Sequence, residues 1–251
     1  MNGKRICRRG LVLAVVSLFV AALAGVAWAD VIDIPDQTLA SAIRSQLNLP
    51  PDQPITDAEM LNLTGLSTGG EASLQGLQYA RNLQALSLIR CQDALDLSPL
   101  AGLPLLSEVD LSHCDAPDLS ALATLPSLSY LDMLGNRITQ LPNLANCPDL
   151  SFIGAPANRI ADISALTSLT HLQELDLNDN PLNYDAYAID IPIIIANNPG
   201  INISYDAIPE PPASCYALGL LTMLSLSRLA KSRFLNNELM RFLLCNSYPA
   251  R

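Results

Sequence analysis

Side chains equipped for recognition return along this sequence every 22 residues. Glu108, Tyr130, Phe152 and Glu174 follow one another at that interval, and Asp110, Asp132 and Asp176 keep the same beat two residues later, with Gly154 in the remaining place. Carboxylates supply charge and hydrogen-bond acceptors, and aromatic rings supply large apolar faces, a combination suited to gripping a partner. Catalysis asks for other groups. His113 and His171 are more than two intervals apart, and no nucleophile elbow, phosphate loop or paired Cys-x-x-Cys occurs. Calcium needs around six oxygens close together, whereas Asp110 and Asp132 are two adjacent carboxylates before Gly154 breaks the series. No catalytic residue, metal or cofactor is therefore expected, and the chain does not read as an enzyme.

These residues are carried by five related phrases: LQALSLIRC at 83–91, LSEVDLSHC at 106–114, LSYLDMLGN at 128–136, LSFIGAPAN at 150–158 and LQELDLNDN at 172–180. Their ends, Cys91, Cys114, Asn136, Asn158 and Asn180, are spaced by 23, 22, 22 and 22 residues. A fixed period in the twenties is the mark of an α/β solenoid of leucine-rich repeats, one coil per unit. Within each phrase the apolar residues alternate with period two, which predicts short strands with leucines inward. Stacked in register, the strands form a parallel sheet with an open face. Across the coils that face presents Ala85, Glu108, Tyr130, Phe152 and Glu174, then Ser87, Asp110, Asp132, Gly154 and Asp176, then Ile89, Ser112, Leu134, Pro156 and Asn178.

The return legs place apolar residues three apart, as in Leu97, Leu100 and Leu103, or Leu141, Leu144 and Cys147, a spacing that predicts tight 3₁₀ turns. Asn136, Asn158 and Asn180 each carry an amide able to satisfy backbone groups in the bend after a strand. Cys91 and Cys114 hold that place in adjacent coils. A strand spacing of about 4.8 Å leaves a bridge open, with a pair of buried free thiols the favoured reading. The five cysteines beyond Cys7, which are Cys91, Cys114, Cys147, Cys215 and Cys245, follow no disulfide framework.

A stack has two ends to cover. Residues 30–66 read as a helical N-terminal cap: an amphipathic helix with Pro35 in its first turn and Leu39, Ile43 and Leu47 on one side, then a shorter helix from the Thr56-x-x-Glu59 capping box to about Leu63. The repeats occupy 67–180, beginning with a degenerate coil at 67–73. Residues 181–206 read as a closing cap, with a helix over 184–197 that Pro192 should interrupt or bend and an edge strand at 201–205.

The outermost segments carry different signals. Lys4, Arg5, Arg8 and Arg9, an apolar run and Ala27-Trp28-Ala29 predict a signal peptide over 1–29 cut after Ala29, in preference to a lasting anchor. Between residues 30 and 210 stand 23 acidic residues, five arginines and no lysine, a balance of −18 against −10 for the whole chain. Such a surface repels nucleic acid and anionic lipid and favours basic partners. Residues 207–233 hold Pro209-Glu210-Pro211, an apolar run over 213–226 and the basic residues Arg228, Lys231 and Arg233. The run is shorter than the roughly 20 residues that comfortably span a bilayer, and residues 234–251 continue beyond it.

The coils resemble bacterial internalin-type leucine-rich repeat proteins, built from units of 22 residues, and the resemblance extends over 31–206. The last motif, apolar run and basic cluster resemble the PEP-CTERM sorting signal of Gram-negative bacteria, although that signal usually ends at the basic cluster. The second resemblance implies processing by an exosortase after signal peptidase, transient membrane contact, and delivery to the cell surface or an exopolysaccharide-rich matrix. A plain C-terminal transmembrane anchor with permanent membrane contact is the competing reading. Two functions follow as expectations. One is a non-catalytic recognition module that holds a protein or glycan on the concave face, through Glu108, Asp110, Tyr130, Asp132, Leu134, Phe152, Pro156, Glu174, Asp176 and Asn178. The other is a structural component of the biofilm matrix with no defined ligand.

Overall fold

The computed structural model describes residues 30–91 and 95–207. Ala27 and Ala29 of the signal segment, the sorting residues Pro209, Glu210, Pro211, Arg228, Lys231 and Arg233, and the tail at 234–251 lie outside the described residues. Seven strands form one parallel sheet in chain order: β1 Gly65–Gly69, β2 Ala85–Ile89, β3 Glu108–Asp110, β4 Tyr130–Asp132, β5 Phe152–Gly154, β6 Glu174–Asp176 and β7 Asn202–Ser204. The pairing sets Leu66, Leu86, Val109, Leu131, Ile153, Leu175 and Ile203 in one row. All but the half-buried Ile203 are buried. A second inward row of Leu88, Leu111, Met133, Ala155 and Leu177 meets the leucines of the return legs, so the inside of the coil is one continuous apolar column. The fold is the leucine-rich repeat solenoid that the 22-residue period predicts.

Three of the return legs owe their 3₁₀ turn to an Asp-x-Ser cap. Asp96, Asp118 and Asp162 each accept from the backbone N–H of the serine two residues on, at 2.8 Å, and the turns Ser98–Leu100, Ser120–Thr124 and Ser164–Leu166 follow. Hydrogen bonds from Ser120 and from Ser164 hold the Asp118 and Asp162 carboxyls below their ordinary value. The intervening coil lacks the predicted turn at Leu141 and Leu144. Gln140 and Pro142 stand where the others have Asp and Ser, and proline has no N–H to offer the cap.

Both ends of the column are covered. Helix α1, Gln37–Gln46, is N-capped by Asp36, whose Oδ1 accepts from Thr38 and Leu39 while Oδ2 accepts from Ala72 and Ser73 in the first coil. One carboxylate thus caps the helix and ties it to the repeats, and Pro35 precedes the helix instead of lying in its first turn. The Thr56–Glu59 capping box forms and starts α2, Asp57–Met60, which ends before Leu63. At the other end Pro192 does not break the helical segment. A π-helical turn, Ala186–Asp190, leads directly into α3, Ile191–Asn197. Widening the spiral just before Pro192 accommodates a residue that cannot make the usual backbone bond four residues back.

The bends after β4, β5 and β6 are each sealed by a buried amide. Asn158 accepts from Ile138 N at 3.1 Å and donates to the carbonyls of Met133 and Ala155 at 2.8 and 3.1 Å. Asn180 accepts from Ile160 N and donates to Ala155 and Leu177, while Asn136 accepts from Cys114 N and Asp115 N and donates to Leu111 and Met133. Each amide therefore joins its own coil to its neighbour. Asn198, at the end of α3, acts similarly on Leu172 N and the Leu169 and Ile194 carbonyls. Just before these places the backbone turns left-handed, at Arg90, His113, Gly135, Ala157 and Asp179. At the first two positions of the ladder the expectation of free thiols is overturned: Cys91 and Cys114 form a disulfide with their Cα atoms 4.4 Å apart. Equivalent places on adjacent coils bring the two side chains within bonding reach, and Cys147 stays a buried free thiol.

Two stability tests follow. Replacing Asn158 with Ala strands backbone groups of two coils without partners and should lower unfolding free energy by about 2–4 kcal/mol in urea denaturation. Reducing the disulfide opens a closed segment with a sequence separation of 23 residues, and should cost about 3 kcal/mol, read as a drop in melting temperature on adding dithiothreitol.

Candidate functional site

Because side chains of a strand alternate, the residues between the two inward rows project from the open face of the sheet. Pairing aligns Glu108, Tyr130, Phe152, Glu174 and Asn202 in one column and Asp110, Asp132, Gly154, Asp176 and Ser204 in the next. The structure thus brings Glu108, Asp110, Tyr130, Asp132, Phe152, Glu174 and Asp176 together as expected, with Leu134, Pro156 and Asn178 following their strands. Leu134 and Tyr130 are each 37% exposed, a large apolar investment at the surface.

The centre of the face is a pair of rings. Tyr130 and Phe152 stack with centroids 4.3 Å apart and planes 6° from parallel. Gly154 makes room for them: a Cβ there would come within 3.1 Å of both Phe152 Cε1 and Asp132 Oδ1. The glycine that spoils the acidic column as a calcium site is thus the one that lets the ring and the carboxylate lie close. Sequence spacing alone flags the glycine but not this purpose.

Hydrogen bonds from neighbouring residues hold the carboxylates in place. Asp110 accepts from Ser112 through both its backbone N–H and its hydroxyl, at 2.9 and 2.6 Å, and from the Ser87 hydroxyl at 3.1 Å. Asp132 accepts from Leu134 N, and Asp176 from the backbone and amide of Asn178. Burial pushes the Asp132 carboxyl above its ordinary value, the charges of Asp110 and Asp176 push the same way, and the Leu134 N–H opposes them. The Tyr130 hydroxyl is also raised, first by burial and then by Asp132, Asp110, Glu108 and Glu174. Among the described residues the single ion pair, Arg137 with Asp115, uses none of these carboxylates.

The two histidines lie apart from this face. His113 takes the left-handed position after β3 with Nδ1 3.2 Å from the Gly135 carbonyl, and His171 lies before β6 with Nδ1 3.1 Å from the Thr170 hydroxyl. No three His, Cys, Asp or Glu side chains among the described residues converge as a metal site. A hollow of about 360 Å³ lined by Ser73, Leu74, Gln78 and Asp96 belongs to the return legs and shares no residue with the columns. Sequence reasoning missed the roles of Ser87 and Ser112 as supports of Asp110, and it left out Asn202 and Ser204, which extend the columns onto β7.

No protein-family model matches this chain, and no curated protein does. Solved structures do match. The internalin InlF of Listeria monocytogenes is 25% identical, with 68% of this chain and 55% of that one covered at a TM-score of 0.51. The functional domain of InlJ from the same organism, described as including a cysteine ladder, is 18% identical over 70% of this chain and 43% of its own, with a TM-score of 0.50. This chain spans about half the length of InlF. The likeness is to internalin-like leucine-rich repeat proteins.

The raised Asp132 carboxyl has a testable sign. A carboxylic acid whose folded value exceeds its unfolded one costs stability at neutral pH, and the cost vanishes as pH falls through the folded value. Asp132→Asn keeps an oxygen for Leu134 N and removes the charge. The variant should melt higher than the parent at pH 7, with the gap closing toward about pH 3, as followed by circular dichroism.

Proposed function

We propose that this chain is an exported, non-catalytic recognition module that binds a protein partner on the concave sheet face, centred on Tyr130 and Phe152. The ring pair carries the reading. Two large side chains stacked on each other at the surface, as Tyr130 and Phe152 are, give folding less than the same area would in the core. Set among acidic and amide groups, they have the make-up of an interface hot spot. The likeness to InlF supports a recognition role, and the Cys91–Cys114 disulfide supports folding in an oxidising compartment, consistent with the basic and apolar opening of the sequence. Retention at the surface through the Pro209-Glu210-Pro211 segment rests on the sequence motif.

The test uses the mature chain immobilised as bait for secreted and surface proteins, with a glycan array in parallel. Replacing both Tyr130 and Phe152 with Ala should weaken capture by at least about tenfold while leaving the melting temperature within a few degrees. Undiminished capture by the double variant would overturn the concave-face reading. Binding confined to the glycan array would replace the protein partner with a saccharide.

A further inference from the structure

The column that holds the two rings reads carboxylate, ring, ring, carboxylate: Glu108 on β3, Tyr130 on β4, Phe152 on β5 and Glu174 on β6. Since the rings stack on one another, each uses one face on its partner and turns the other toward a glutamate. Asp110 and Asp176 stand beside those glutamates in the neighbouring column. The columns themselves carry no positive charge. No arginine lies on the columns, Arg137 is paired with Asp115 at a bend, and Arg44 donates to the Gln53 carbonyl in the N-terminal cap.

Given that the concave face is the binding surface, we infer that its partner enters with an arginine-bearing basic segment. Its guanidinium groups would cover the outer faces of the Tyr130–Phe152 stack, between the rings and the carboxylates of Glu108 and Asp110 on one side and Glu174 and Asp176 on the other. A guanidinium is planar and weakly hydrated, so it can lie on a ring and donate along its edge to carboxylates at the same time. Lysine, a compact and strongly hydrated charge, meets the carboxylates but stacks poorly. The net charge of −18 between residues 30 and 210 draws such a segment in and turns acidic partners away.

Poly-L-arginine of defined length, poly-L-lysine and poly-L-citrulline serve as probes in calorimetric titrations of the mature chain at low and physiological salt. The arginine polymer should bind most tightly, the lysine polymer less so, and the uncharged citrulline polymer not at all. Tyr130→Ala with Phe152→Ala leaves every carboxylate in place and should still weaken arginine binding by roughly tenfold. Glu108→Gln with Glu174→Gln should weaken it more than the same charge change at the exposed Asp52 and Asp149, made as Asp52→Asn with Asp149→Asn. Equal binding by the ring-less variant, or equal loss from the two charge pairs, would reduce the attraction to overall charge and overturn the inference. If the ring-less variant loses its captured protein yet holds poly-arginine unchanged, the arginine assignment falls and the concave-face reading stands. If it loses neither, both fall.

Discussion

Everything in this molecule depends on closing a bend once per coil without leaving backbone groups stranded. A coil of about 22 residues must turn sharply after a short strand, and its carbonyls and N–H groups there face an apolar interior. The buried amides of Asn136, Asn158 and Asn180 meet that demand, each bonding to its own coil and to the one before it. Because the amide spans two coils, satisfying the bend also locks the register of the sheet. Where cysteine replaces asparagine, a covalent link between Cys91 and Cys114 joins the coils instead.

Register, in turn, makes the concave face. Strands that slipped by one residue would turn the leucine row outward and the acidic and aromatic columns inward. Locked as they are, Tyr130 and Phe152 meet ring to ring, and five carboxylates from β3, β4 and β6 are gathered on one surface. Burial first, and the neighbouring carboxylates after it, raise the Asp132 carboxyl and the Tyr130 hydroxyl. Folding tolerates this because serine, asparagine and backbone donors hold the carboxylates in place.

The ends show how local chemistry bends a repeating plan. Asp36 both starts α1 and fastens it to the first coil, so the cap cannot lift away without losing its own helix N-terminus. At the far end, Pro192 is absorbed by a π-helical turn instead of ending the helix. The coil containing Pro142 lacks the 3₁₀ turn of its neighbours, since its sequence lacks the Asp-x-Ser cap.

The solenoid, its parallel strands, its inward leucines and the membership of the concave columns were all legible in the sequence, because a fixed period places equivalent residues at equivalent points and alternation sorts them to two faces. The amide ladder was legible for the same reason. What only the tertiary structure decided are contacts whose outcome turns on fractions of an ångström between neighbouring coils: the bridge between Cys91 and Cys114, the ring-on-ring stacking of Tyr130 and Phe152, and the space that Gly154 clears for both Phe152 and Asp132. Spacing says which residues are neighbours, but whether neighbours bond, stack or merely pass depends on side-chain directions and on the volume left by the residue between them.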